Sequence, residues 1–179
     1  AALMTSAAKS ATSLIQKNHI EINQAMEQLN YAISSVAKEN MMMTCFAASI
    51  DKKSLIMTYS NASHEPTFIL RKQVGEQELK KKDLEFLNNT NGNRLGQDKT
   101  SSYENKQIQL HPGDRIIFYT DGVTDIKNLE NKALGERGFI KAILNSQNRF
   151  PSSFNDFTTA FDKELSDYRQ NSELVDDVT

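Results

Sequence analysis

Arg115-Ile116-Ile117-Phe118-Tyr119 is a run of β-formers that leads straight into Thr120-Asp121-Gly122-Val123-Thr124. β-Branched and aromatic side chains favour extended backbone, and a glycine permits the abrupt turn that follows. A chain written this way puts a carboxylate, Asp121, at the mouth of a buried strand. A second acidic pair, Asp176-Asp177, stands far away in sequence, just before Val178-Thr179. Hard cations are held by oxygen ligands that converge from several elements. Two acidic strand ends so far apart therefore point to a divalent-metal site and to metal-assisted phosphate chemistry.

Charge and cysteine usage narrow the alternatives. The 179 residues suit one domain with a real core. Acidic and basic residues nearly cancel, 23 against 21, for a net charge of -2. A nucleic-acid module would show a basic face, so that class is not expected. The longest basic cluster, Lys80-Lys81-Lys82, is followed at once by Asp83 and Glu85 and reads as a solvated surface. No apolar window approaches the ~18 residues of a membrane span, so no membrane contact is expected from this segment. The single Cys45 rules out an internal disulfide and fits a reducing, cytoplasmic compartment. It lies in Met43-Thr44-Cys45-Phe46-Ala47, where a small hydrophobe is expected rather than a nucleophile. The chain opens on Ala1-Ala2-Leu3 in a helical pattern and ends one residue past Val178, which leads us to expect a piece of something longer.

Hydrophobic spacing changes twice along the chain. Ala1 to Gln16 reads as a helix rich in small residues, and Lys17-Asn18-His19 breaks it. Ile22, Met26, Leu29, Ile33 and Val36 then fall at spacings of four, three, four and three, one face of an amphipathic helix that ends near Glu39-Asn40. Beyond Asn40 the pattern is that of strands: Met41 to Ile50, a turn at Asp51-Lys52-Lys53-Ser54, and Leu55 to Ser60 as hairpin partner. After the turn Asn61-Ala62-Ser63-His64-Glu65-Pro66 a short strand runs from Thr67 to Leu70. Gln73 to Ser102 is polar and reads as a variable insert, with one helical turn at Asp83 to Leu87. Lys106 to Leu110 is a further strand, and His111-Pro112-Gly113-Asp114 turns the chain into the strand that ends at Asp121. Helices return at Leu134 to Asn145 and after Pro151-Ser152-Ser153, the last with a stripe of Phe154, Phe157, Phe161, Leu165 and Tyr168 expected to be core. Helix pairs at both ends, hairpins between them and no βαβ alternation give an α+β layered domain.

Four stretches, in order, resemble the bacterial branch of the metal-dependent Ser/Thr phosphatases, the PPM or PP2C-like family that contains SpoIIE and the RsbU-type sigma-factor regulators. Ala1-Ala2-Leu3-Met4-Thr5 is similar to the helix start that follows the family's Asp-Val-x-Gly-His-Gly segment. Met43-Thr44-Cys45-Phe46 with Leu55 through Pro66 resembles the central hairpin and its Asn-Ala-Gly-His-x-Pro turn. Leu110 through Asp125 resembles the Pro-Gly-Asp and Thr-Asp-Gly-Val-Thr-Glu block, and Asp176-Asp177-Val178-Thr179 the closing Asp-Asp-x-Thr.

The resemblance implies an antiparallel β-sandwich flanked by helix pairs, in α-β-β-α layers, with residues 1–179 forming one partial domain that carries the polar insert at about 73–102. The Asp-Val-x-Gly-His-Gly segment and the first strands would precede Ala1, and the sheet edge left open could support self-association. Two Mn²⁺ or Mg²⁺ ions are implied at one end, activating a water for in-line attack on phosphorus. Carried over by position, Asp121 and Asp176 are metal ligands, Gly122 lets the backbone pass close to the ions, and Asp125 is a lesser ligand for a third ion. Asp177 is expected to bond locally. His64 is a weak candidate for an acid, because Asn61 to Pro66 reads first as a turn in which Asn61 bonds backbone groups. His19 and His111 sit in breaks and are expected outside the site. Ser63 stands where the family has glycine, a small change if the backbone there avoids positive φ.

The function implied is dephosphorylation of a regulatory phosphoprotein, an anti-sigma-factor antagonist by analogy. The competing readings are a catalytically degenerate phosphatase fold that binds a partner, and a helical interaction module built on the Ile22–Val36 stripe.

Overall fold

The structure is a computed structural model and describes residues 2–18, 20–37, 41–72, 75, 78–88, 90 and 92–179. The chain weaves between two compact units. Ala1–His64 and Leu87–Leu110 make one, and Glu65–Phe86 and His111–Thr179 make the other. Each pairs helices with a three-stranded antiparallel sheet, so the α+β class holds. No helix among the described residues is long and apolar enough to cross a membrane.

In the first unit, α1 (Ala2–Asn18) and α2 (Ile22–Val36) accompany a sheet in the order β1-β2-β5, from Cys45–Ile50, Ile56–Ala62 and Lys106–Gln109. The spacing along α2 delivers Met26, Leu29 and Ile33 to a core shared with Ala62, Leu95 and Tyr103. Met26 and Ile33 are fully buried, each such side chain contributing about 1.5–3 kcal/mol. Between them Asn30, also fully buried, donates from Nδ2 to the Asp98 carbonyl and accepts the Gly96 N–H at Oδ1, both at 2.8 Å. These two bonds, with the Met43–Leu95 bridge, tie part of the polar stretch 73–102 to the unit. The β1–β2 turn is closed by Asp51, whose Oδ1 accepts the N–H groups of Lys53 (2.7 Å) and Ser54 (2.8 Å). Cys45 is half-buried, and burial pushes its thiol upward, as a packing residue requires.

In the second unit the order is β4-β3-β6, from Leu84–Phe86, Phe68–Leu70 and Arg115–Ile117. Phe68 faces Phe86 on one side and Ile117 on the other. Around it pack Leu70, Tyr119, Phe139, Ile143 and Phe157, drawn from the sheet, the segment just after β6, α4 (Gly135–Arg149) and α5 (Phe154–Arg169). The rings of Tyr119 and Phe139 lie 4.4 Å apart between centroids.

Three local expectations change. Asp83 to Leu87 is not a helical turn: a 3₁₀ turn at Lys81–Asp83 leads into β4, because Leu84 and Phe86 face the core while Glu85 faces out. The strand before Asp121 ends at Ile117 rather than Tyr119, and Thr120 N–H turns to the Thr179 carbonyl instead. The α5 aromatic stripe is core only in its middle, where Phe157 is buried and Phe161 packs beside it; Phe154 is 63% exposed.

Candidate functional site

Thr120, Asp121 and Gly122 meet the closing Asp176–Thr179 segment through the backbone. Thr120 N–H donates to the Thr179 carbonyl at 3.1 Å, and the Thr120 hydroxyl donates to the Asp177 carbonyl at 3.2 Å. That same hydroxyl oxygen accepts the Thr179 N–H at 3.3 Å. One threonine thus holds two residues that lie 57 and 59 positions away. Gly122 makes the approach possible: a Cβ there would collide with the Asp177 carbonyl oxygen and come within 2.9 Å of its carbon. Only a residue without a side chain allows two backbones this close.

Asp121 opens a single helical turn, α3 (Asp121–Thr124), whose Gly122 and Val123 are buried. Its carbonyl accepts the Asp125 N–H at 2.9 Å and the Thr124 hydroxyl at 2.8 Å. Asp125 therefore follows Asp121 by one turn, on the same face of the helix. The carboxylates of Asp121, Asp125 and Asp176 are all in exposed residues. Asp176 accepts the Asp177 N–H at Oδ1, 2.8 Å away. The local bond expected of Asp177 is thus made by its main chain to the Asp176 side chain.

The first unit holds the remaining candidates. Asn61 is buried; its Oδ1 accepts the His64 N–H at 2.8 Å and its Nδ2 donates to the His64 carbonyl at 3.0 Å. This is the turn-bracing role expected of it. The His64 ring shares a 3.2 Å hydrogen bond with the Thr44 hydroxyl. Ser63 does not avoid positive φ: it sits at +55°, the conformation a glycine takes there freely. Its hydroxyl offsets part of the strain by donating to the Gly92 carbonyl at 2.8 Å. His111 is exposed, as expected, and His19 lies outside the described residues.

Sequence reasoning assigned nothing to Arg71, yet it organises the turn before β6. Its guanidinium bridges Glu85 and Asp114, the latter at 2.7 Å. Burial alone would raise the Asp114 carboxyl. The N–H groups of His111 and Lys72 and the Arg71 guanidinium outweigh it and hold that carboxyl below the ordinary carboxylate range. Gly113, at φ +96°, completes the turn. Downstream, burial and the charges of Glu65 and Glu136 push the Tyr119 phenol up to about 12.

Do these residues suit a cation? Asp121 and Asp176 are oxygen donors, the kind that Mn²⁺ and Mg²⁺ prefer. The Gly122 contact brings their two segments together, so the donors fit in kind. Among the described residues, no three His, Cys, Asp or Glu side chains form a ready metal cluster.

Comparison with known proteins adds to this picture. The phosphoserine phosphatase RsbU of Bacillus subtilis (strain 168) is 28% identical over 142 residues, 79% of this chain and 38% of RsbU. Protein IcfG of Synechocystis sp. (strain ATCC 27184 / PCC 6803 / Kazusa) is 29% identical over 103 residues, 58% of this chain and 15% of IcfG. The chain thus spans well under half the length of these curated relatives. Among solved structures, the RsbU and RsbW domains of a Mycobacterium tuberculosis protein match with a TM-score of 0.70 at 18% identity, over 98% of this chain and 45% of that one. The PP2C phosphatase domain of SpoIIE from Bacillus subtilis, with a fragment of its regulatory domain, matches with a TM-score of 0.63 at 17% identity, over 94% and 47%. At such identities these likenesses establish the fold, which is that of PP2C-like phosphatase domains. The family model of stage II sporulation protein E matches residues 1–179, the whole chain, which belongs to the SpoIIE family.

Proposed function

We propose that this chain serves a metal-dependent protein serine/threonine phosphatase of the SpoIIE/RsbU type, acting on a regulatory phosphoprotein. The observation that supports this reading is the seam between Thr120–Gly122 and Asp177–Thr179, because the two segments it joins carry Asp121 and Asp176. In this reading Asp121 and Asp176 hold Mn²⁺ or Mg²⁺, with Asp125 available to a third, weaker ion. When bound, two such ions supply an activated water and neutralise phosphoryl oxygens. The chain's own part is placement. Thr120 fixes the closing segment, Gly122 admits it, and the α3 turn sets Asp125 after Asp121. We assign no proton transfer to His64, whose ring is engaged by Thr44.

The naming of RsbU as a phosphoserine phosphatase supports the reaction class. The solved relative that contains an RsbU and an RsbW domain supports a regulatory protein as partner. We take an anti-sigma-factor antagonist as the substrate class and, from the lone half-buried Cys45, a reducing cytoplasmic setting. Unpaired edges of the sheets provide a route to self-association, which light scattering over a concentration series would reveal.

Hydrolysis of p-nitrophenyl phosphate against Mn²⁺ concentration tests the reading, with the longest native chain that contains this segment. Loss of even an outer-shell partner costs a metal site about 10- to 100-fold. Asp121→Asn and Asp176→Asn are each expected to lose at least that much. No metal-dependent turnover in a folded parent protein would reject the enzyme in favour of a degenerate fold that binds a partner.

A further inference from the structure

The longest basic run of the sequence, Lys80-Lys81-Lys82, has no use in the phosphatase reading. In the second unit it borders a groove of about 360 Å³ between the 79–81 segment and one stripe of α4. Leu79, Ile140 and Leu144 form an apolar floor, and Lys80, Lys81, Arg137 and Lys141 line the rim. Among the described residues, no carboxylate lines it. Acids do stand nearby: Glu136 pairs with Lys81 at 3.1 Å, Asp83 accepts the Lys80 N–H at 2.9 Å, Glu164 accepts from Asn145 at 3.4 Å, and the exposed Glu78 precedes Leu79. Among the described residues, Lys80, Arg137 and Lys141 outnumber those acids left without a partner. Several cations gather here around a floor of half-buried Leu79 and Leu144 with buried Ile140 beneath, in a protein of net charge -2.

The groove is also built rather than incidental. Asn148, from α4, accepts the Leu79 N–H at 2.8 Å and donates to the Leu79 carbonyl at 3.0 Å. A single side-chain amide thereby occupies both backbone groups of Leu79, as a neighbouring strand would, and clamps the groove wall to the helix. Preorganisation of this kind lowers the ordering cost of binding.

We propose that this groove docks an acidic segment of a partner protein, one that carries apolar anchor residues between its carboxylates. The charge complements the rim, and the volume suits one or two apolar side chains on the floor. A membrane is a poorer match, because a concave floor cannot reach into a flat lipid surface. A nucleic-acid backbone would meet the rim but leave the floor uncovered. The inference does not rest on the phosphatase reading, since none of these residues belongs to the Asp121–Asp176 seam.

Fluorescence polarisation tests it on the full native chain. The probe is a short fluorescein-labelled peptide in which a leucine–phenylalanine pair is flanked by glutamates. An all-glutamate peptide of equal length and vesicles of phosphatidylglycerol serve as competing ligands. The mixed peptide is expected to bind at least about tenfold more tightly than the all-glutamate one, and more weakly as salt rises. Arg137→Glu with Lys141→Glu is expected to weaken it by about tenfold or more. Amide resonances of Leu144 and Asn148 should shift on titration. Both altered side chains are exposed, and circular dichroism checks the fold; should the reversals unfold the chain, the corresponding alanine pair replaces them. Unchanged binding in a folded variant overturns the proposal, as does equal binding of the two peptides. Absence of peptide binding, or vesicle binding without peptide binding, overturns it as well.

Discussion

At Gly122 the space for a side chain is already filled by the Asp177 carbonyl. Gly122→Ala must push the closing segment away, so denaturant titration should show a loss of about 1–3 kcal/mol. Mn²⁺-dependent hydrolysis should fall with it, while an alanine at the half-buried Thr124, which removes one bond to the Asp121 carbonyl, should lower it less. Ser63 offers the opposite case. It holds a left-handed backbone at a cost of about 1–2 kcal/mol, and glycine gives back part of that gain through its larger unfolded-state entropy. Ser63→Gly also loses the hydrogen bond to Gly92, so the clean comparison is with Ser63→Ala, which loses that bond but keeps the strain. The glycine variant is expected to be the more stable of the two by about 0.5–1 kcal/mol, and equal denaturation midpoints would refute the strain. Asn61 was legible beforehand, because an asparagine opening a turn has few other uses for its amide. The positive φ of Ser63 was not, since a serine carries no mark of the backbone it occupies. Tyr119 has its own signature. Of the five tyrosines, it should ionise late, near pH 12, in a spectrophotometric titration of the folded protein. Its raised value means that its contribution to stability is present below about pH 10 and is lost as pH rises through about 12.

Elements were read well where period and length agreed. The α2 stripe, the β1–β2 hairpin and both late helices lie where their spacing puts them. β4 was missed although Leu84 and Phe86 alternate with Glu85, because three residues carry too little pattern to outweigh a lysine-rich, helix-like approach. Its partner Phe68 lies far back in sequence and supplies the pairing that the local residues could not announce. The Ser153 hydroxyl caps α5 by accepting the Asp156 N–H at 3.2 Å. Ser153→Ala should cost about 1 kcal/mol, read from the urea midpoint. The Arg71–Asp114 clamp contributes to the acid limb of stability. A carboxyl held below its unfolded value contributes stability above about pH 4 and loses it as pH falls through the folded value. Asp114→Asn should therefore lower stability near neutrality yet flatten its decline as pH falls below about 4. An acid limb as steep as the parent's would assign that decline to other groups.

For the whole molecule, four motifs in register across 179 residues made the family visible, although each alone is a common turn or cap. What they could not disclose was the seam itself. Asp121 and Asp176 were nominated by type and position, but the threonine that ties their segments together drew no notice, because a hydroxyl reveals its bond only after folding. Metal removal provides a test at this scale. Chelation of divalent ions from the longest native chain should abolish hydrolysis and lower the melting temperature, and Mn²⁺ should restore both. The groove beside α4 was equally hidden, since its cations come from two segments that composition averages with the acids elsewhere.

The weaving of the chain between its two units has a bearing on how the protein is made. The first unit lacks β5 until residues 106–109 have left the ribosome, and by then Glu65–Phe86 has already emerged without β6 or either late helix to pack against. The second unit in turn waits for its closing residues. Neither unit can be finished before the other has begun. A cut after Leu110 keeps every residue of the first unit but strands Glu65–Phe86 without β6, so a version shortened there for expression carries an unpartnered piece of the second unit. No single cut frees the second unit from the first.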